Sequence, residues 1–289
     1  MLDLQTLKFF CAVAQEGSVS KASQRLHYAQ SNLSTKIIHL EQQLNTPLFL
    51  RTCHGVSLTH KGQLLYAYAQ QLLQLADEAT IAVSDDGSPT GNLLLGAMES
   101  AAITYLPKLL PSFYEQYPLV SVKVSTSPSE RLVEMVLNHE LDGGFVAGPI
   151  TYKELQSVPL GREELVLVAP RAREQESLHR LLQQPLLVFP EGCSCKNSLR
   201  QWLLEEGLVP KQYYEFTTIG AVLASVSAGL GVAVFPESVV KVYGRQEALS
   251  VHHVPYANKT ISHTFVYHGE GYHGTALKKF IKLLQAYTQ

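Results

Sequence analysis

The residues best equipped for recognition chemistry form one string, Gln30-Ser31-Asn32-Leu33-Ser34-Thr35-Lys36. Carboxamides such as those of Gln30 and Asn32 can pair two groups on an adenine edge. Hydroxyls such as those of Ser31, Ser34 and Thr35 fit either kind of base partner, and Ile38 suits a thymine methyl. Leu33, Ile37, Leu40 and Leu44 recur at helical spacing through the same stretch. That stripe turns Ser31, Thr35 and Ile38 to the opposite side of a helix, with Ser34 beside them and Gln30 and Asn32 in the first turn. A rod anchored on one side and carrying base-pairing groups on the other suits the major groove. The same pattern also fits an ordinary solvated helix face.

The flanking segments are what must hold such a rod. Leu4, Leu7, Cys11 and Ala14 make the apolar stripe of a first helix, which Gly17 ends. Ser20 is expected to cap a short second helix with Ala22 and Leu26 inward. His27-Tyr28-Ala29 then forms a tight turn, so the order reads as a helix-turn-helix. From Pro47 to Thr59, two short extended pieces around Gly55 predict a β-hairpin wing, with Arg51 and His54 gripping the flanking phosphates. A long helix from Thr59 to Val83 carries Leu65, Tyr68, Leu72, Leu75, Ala79 and Ala82 at alternating steps of three and four. Such a seam fits pairing with a second copy of the chain, or packing against its own domain.

The length of 289 residues implies two or three folding units, and an apolar fraction of 46% is that of a globular protein. A net charge of −2 hides an asymmetry. Up to Leu65 the cations are Lys8, Lys21, Arg25, Lys36, Arg51 and Lys61, against Asp3, Glu16 and Glu41, a layout suited to phosphate on an otherwise acidic body. No apolar run is long enough to span a bilayer, and MLDLQTLKFF lacks the basic-then-apolar order of a signal peptide. A cytoplasmic location is therefore expected, and Cys11, Cys53, Cys193 and Cys195 form no disulfide framework.

After the polar linker Ser84–Gly91, apolar runs alternate with helical stretches, the pattern of α/β units with largely parallel sheets. Several strands end at helix starts, where free backbone N–H groups favour anions. These ends place Ser100 with the amides of Ala101 and Ala102, then Ser127, the Phe145–Ala147 strand, Cys193 with Ser194, and Thr218. Only Lys196 and Arg131 bring positive charge to these loops, so a small anion would rely on amides and hydroxyls. An ordinary cap is the alternative role for each hydroxyl.

The motifs in register along the chain are L-x-x-L-x-x-F at Leu4–Phe10, G-S-x-x-x-A-S-x-x-L-H at Gly17–His27 and Q-S-N-L-S at Gln30–Ser34. They continue as L-E-x-x-L at Leu40–Leu44, P-L-F-x-R at Pro47–Arg51 and G-V-x-L-T-x-x-G at Gly55–Gly62. Over essentially its whole length the chain resembles the LysR-type transcriptional regulators. The resemblance implies a winged helix-turn-helix (1–59), a dimerisation helix and linker (60–90) and an effector-binding domain (91–289) built like periplasmic binding proteins. It divides that domain into lobe one, about 91–161 and 267–289, and lobe two, about 162–266, with the ligand loops facing across a cleft. It also implies a homotetramer of two dimers paired through residues 60–83, and double-stranded DNA sites that bend differently with and without a small effector. No cofactor is expected.

Other chemistries fit less well. Gly269-Glu270-Gly271-Tyr272-His273-Gly274 matches G-x-G-x-x-G, but a dinucleotide fold needs a further strand and acid that the remaining chain cannot supply. No nucleophile elbow, P-loop or zinc-protease motif is present, so no catalytic residue is assigned. Cys193 and Cys195 are poorly spaced for a metal and better suited to a thiol-based redox response, the alternative reading of the sensor.

Overall fold

The computed structural model of the chain describes residues 2–52, 55–84, 88–243, 248–254, 259–269 and 273–288. It divides into two compact units, Met1–Asp86 with Asn138–Glu140, and Gly87–Leu137 with Leu141–Gln289.

The first unit comprises α1 (Leu4–Glu16), α2 (Val19–Leu26), α3 (Gln30–Gln43), the strands β1 (Phe49–Thr52) and β2 (Gly55–Leu58), and α4 (His60–Ser84). The Asp3 carboxylate accepts the N–H groups of Gln5 and Thr6 at 2.9 and 3.3 Å and so starts α1. Gly17, at φ 60°, stops it. Ser18, not Ser20, caps α2 by accepting the Lys21 N–H; the helix starts two residues earlier than the sequence implies because Ser18 has the extended backbone a cap requires, while Ser20 is already helical. Leu7, Phe10, Val13, Ala22, Leu33, Ile37, Leu40 and Leu48 form one core beneath the three helices. The hairpin pairs Phe49 with Leu58 and Thr52 with Gly55. Gly55, at φ 134°, lies so close to Gly17 that a Cβ would meet its carbonyl oxygen at 2.6 Å, and the neighbouring Val56 N–H donates to that same oxygen at 2.8 Å. The wing root is thus hydrogen-bonded to the end of α1.

The second unit begins with β3 (Gly91–Ala97), α5 (Glu99–Thr104), α6 (Leu106–Gln116), β4 (Val120–Thr126), α7 (Ser129–Leu137) and β5 (Gly143–Ala147). A 16-residue strand β6 (Leu155–Pro170) leads to α8 (Leu178–Leu181), β7 (Leu186–Val188), α9 (Ser194–Glu205), β8 (Tyr213–Glu215), α10 (Ile219–Ser227), β9 (Ala233–Pro236), α11 (Glu237–Tyr243) and β10 (Leu249–His253). The chain closes with β11 (Thr260–His268) and α12 (Thr275–Tyr287). The main sheet runs β10-β6-β11-β5-β3-β4, with β9 also on β6.

That sheet is mixed, which corrects the largely parallel expectation. β3 pairs β4 and β5 in parallel, but β11 is antiparallel to both β5 and β6. The reason is the path of the chain: β6 leaves one core and β11 returns to it. Val158, Leu160 and Phe265 pack with Leu95, Phe145 and Phe280 in the first core. Leu165, Leu167 and Ile261, further along the same two strands, pack with Leu199, Trp202 and Val234 in the second. Between these cores the register shifts at His263/Thr264, opposite Gly161 at φ 122°. Residues 270–272, inside the glycine-rich string, lie outside the described residues, as do Cys53 and residues 85–87 of the linker.

Candidate nucleic-acid interface and effector cleft

On α3 the division of faces is sharp. Leu33, Ile37 and Leu40 are buried, whereas Gln30, Ser31, Asn32 and Thr35 are exposed and Ser34 and Lys36 half-buried. The helix starts at Ala29 with no side-chain cap, so its first-turn N–H groups are not held by a capping side chain. The Thr35 hydroxyl donates to the Ser31 carbonyl at 2.9 Å, which leaves its oxygen lone pairs outward. Glu41 fixes the other end: its Oε1 accepts the N–H groups of Leu48 and Phe49 at 2.7 and 3.1 Å, joining α3 to the wing. Tyr28, which the sequence reading passed over as a turn residue, stands exposed just before α3. It packs edge-on against Phe9 and accepts a hydrogen bond from Gln5 at 2.9 Å. The Arg51 side chain and all of His54 lie outside the described residues.

The seam on α4 departs from its expected place at its first position, where Leu64 and not Leu65 faces outward. Leu65 and Leu73 pack half-buried on the head's own core beside the buried Ala69, because positions four apart share a helix face. The exposed apolar row is Leu64, Tyr68, Leu72 and Leu75, the last 62% exposed, followed by Ala79. The Ala82 side chain lies outside the described residues.

In the second unit a cleft of about 320 Å³ opens between the two cores. The β3–α5 junction supplies Met98, Glu99 and Ser100, and the turn before α7 supplies Ser127. From the other side come Phe189, the 190–195 loop, Thr217 and Phe235. Four of the nine expected residues, Ser100, Ser127, Cys193 and Ser194, therefore stand on its wall. The other five do not. Ala101 is fully buried and Ala102 packs against the first core, since each further residue along α5 turns away from the opening. Phe145 sits in an aromatic core, 4.9 Å from Phe265 between ring centroids. Ala147 packs in the second core. Thr218 caps α10, accepting the Ala221 N–H, and its neighbour Thr217 takes the wall position.

Sequence reasoning missed Glu99. Both of its carboxylate oxygens accept the Ile219 N–H, at 3.0 and 3.1 Å, so a side chain from the first lobe occupies the start of α10 in the second. Burial raises the Glu99 carboxyl above its usual range, partly offset by that bond. Its only sequence signal was an acid immediately before Ser100 at a strand end. Across the same opening, the hydrogen bond from Cys195 and those from the backbone of Lys196 and Cys195 outweigh burial. They hold the Cys193 thiol below its ordinary value, while the hydrogen bond with Cys193, together with burial, pushes Cys195 up.

A second polar group ties the crossing strands. Glu163 on β6 accepts from Tyr105 at 3.2 Å and from Ser238, and lies 3.4 Å from His263 Nδ1. Burial alone would raise the Glu163 carboxyl, but the hydrogen bonds from His263, Ser238 and Tyr105 together hold it below its usual range. Tyr105 belongs to the first core, His263 to the returning strand β11 and Ser238 to α11, so one carboxylate joins three elements at the crossing of β6 and β11.

Two family models match the chain: the bacterial regulatory helix-turn-helix of the lysR family over residues 4–63, and the LysR substrate binding domain over residues 86–289. The regulator YofA of Bacillus velezensis is 38% identical over 280 residues, covering 97% of this chain and 96% of that protein. The regulator CzcR of Bacillus thuringiensis is 35% identical over 286 residues, covering 98% and 97%. A crystal structure of full-length CbnR in complex with its target DNA has the same fold, with a TM-score of 0.72 at 21% identity over 99% of this chain and all of that one. No helix among the described residues is long and apolar enough to cross a membrane. The chain belongs to the LysR family: it is a DNA-binding transcriptional regulator with an effector-binding domain, not an enzyme.

Proposed function

We propose that two copies pair along the exposed row of α4 and present two α3 helices to successive major grooves of an operator, with two such dimers forming a tetramer in the cytoplasm. A small effector entering the cleft then biases the lobes about the β6–β11 crossing and alters how the paired heads bind or bend the operator. The observation that carries this reading is the exposure of Gln30, Ser31, Asn32 and Thr35 on a helix whose opposite side is locked in the core. CbnR bound to its target DNA shares the fold. Fluorescence anisotropy on duplex from upstream of the protein's own gene, repeated across salt, tests it. Binding should prefer that duplex over random sequence, weaken steeply with salt, and disappear in the Ser31→Glu/Thr35→Glu double variant. Unchanged binding by that variant removes the reading.

A second reading is favoured by the lowered Cys193 thiol on the cleft wall: oxidation at Cys193 and Cys195 as the signal. Mass spectrometry after mild peroxide, with operator binding followed in parallel, decides it. Modification of Cys193 together with altered binding supports it, and no change in either eliminates it.

A further inference from the structure

The cleft differs chemically from the anion site that its loop sequences lead one to expect. Helix starts attract negative charge, and three helices begin at this opening: α7, α9 and α10. Each has an acidic or thiol group of the chain's own at its start. The Glu99 carboxylate holds the first N–H of α10. Cys193 occupies the cap position of α9, with its thiol held below its ordinary value. Glu130 lies in the first turn of α7, and its Oε2 comes within 3.6 Å of the position a Cβ would take on Gly192, across the opening. Glu191 adds a further carboxylate to the wall. Among the described residues no lysine or arginine lines the cleft. The neighbouring Lys196 is held by Glu191 at 2.9 Å and Glu215 at 3.3 Å. An anion entering here would meet several negative groups and no positive side chain.

The rest of the wall is apolar and aromatic, with Met98, Phe189, Phe235 and Ile261. We propose that the effector taken by this cleft is a small organic cation, a primary amine on an alkyl or aryl body, and not a carboxylate or an inorganic anion. A carboxylate has several acceptor positions. Glu99 accepts one hydrogen from the Ile219 N–H and keeps lone pairs for an ammonium group, with the Ser100 and Ser194 hydroxyls at the same opening. The apolar body would rest against the two phenylalanines, whose ring faces also favour a nearby cation. Because the ammonium would draw on the same carboxylate that bridges first lobe and second, its binding reaches the interlobe connection directly. This deepens, and rests on, the effector-responsive reading above.

The test uses the full-length protein and size-matched pairs: benzylamine with benzoate, isoamylamine with isovalerate, and butane-1,4-diamine with succinate. Thermal shift and calorimetric titration at constant ionic strength near neutral pH give their affinities. At least one amine should raise the melting temperature saturably and bind more tightly than its carboxylate partner. Glu99→Gln, whose carboxamide oxygen can still cap α10, should weaken that amine about tenfold or more, the size expected for one charge-assisted hydrogen bond. The wild-type comparison decides the matter even if the variant folds poorly. Carboxylates binding as tightly as their amine partners, or no amine shifting the melting temperature, overturns the proposal. Operator binding measured on the same preparation separates the two readings: failure of the amines with intact operator binding rejects only the ligand class, whereas amine binding without operator recognition rejects only the regulator mechanism.

Discussion

At the scale of single residues, neighbours in sequence part company according to which way their side chains point. Gln30 and Asn32 are both exposed in the first turn of α3, and truncating either to alanine should cost about 1–3 kcal/mol at one base pair while relaxing preference there. Binding to a set of operators mutated position by position would show this as a localised loss; a uniform loss across all sequences would mark a phosphate contact instead. Glu41 stands behind the helix and holds the Leu48 and Phe49 amides. Replacing it with alanine should lower stability by about 2 kcal/mol, the magnitude typical of bonds to a charged acceptor, read as a drop in the midpoint of chemical denaturation. Phe145 makes the contrast with the cleft residues testable. In its aromatic core Phe145→Ala should destabilise the second unit by about 3–5 kcal/mol; a stable variant with selectively lost ligand affinity would return Phe145 to the cleft.

At the scale of elements, α4 serves two masters along its length. One row, with Ala69 and Leu73, completes the core of the head, and the adjacent row leaves Leu64, Tyr68, Leu72 and Leu75 exposed. Large apolar side chains repeated along one helix face are what a partner helix covers. Tyr68→Glu/Leu75→Glu should therefore yield a folded monomer in sedimentation, with operator affinity falling because two linked heads no longer engage together. A variant that remains dimeric would move the pairing surface elsewhere. The hairpin shows a different constraint. Gly55 is both at positive φ and pressed against the Gly17 carbonyl, so a side chain there must displace the wing from the end of α1.

At the scale of the molecule, β6 and β11 are the two strands shared by both cores, and their crossing carries the buried group around Glu163. The hydrogen bonds that depress its carboxyl make the ionised form part of the folded state. A depressed carboxyl stabilises fully above its unfolded value and loses that contribution as pH falls through the folded one. Wild type should therefore exceed Glu163→Gln in stability near neutral pH, and the difference should shrink below the ordinary glutamate value of 4.5. Parallel denaturation curves from neutral to acid pH check this; a pH-independent difference would assign the loss to packing alone.

Much of this architecture was legible in the chain itself because it is local. The period of Leu33, Ile37 and Leu40 determines which face of α3 is left outward, Gly17 marks where α1 stops, and the motifs from Leu4 to Gly62 identify the family. The cap of α2 falls two residues before its expected place because Ser18 and Ser20 have the same chemistry and only backbone geometry separates them. Tertiary structure alone decided what depends on residues distant in sequence. The direction of β11 follows from where the chain re-enters the first core, and the seam on α4 is set by which row the head has already covered. Glu99 and Ile219, 120 positions apart, meet only when the two lobes fold against each other. No pattern of spacing encodes that meeting, yet it gives the cleft its charge.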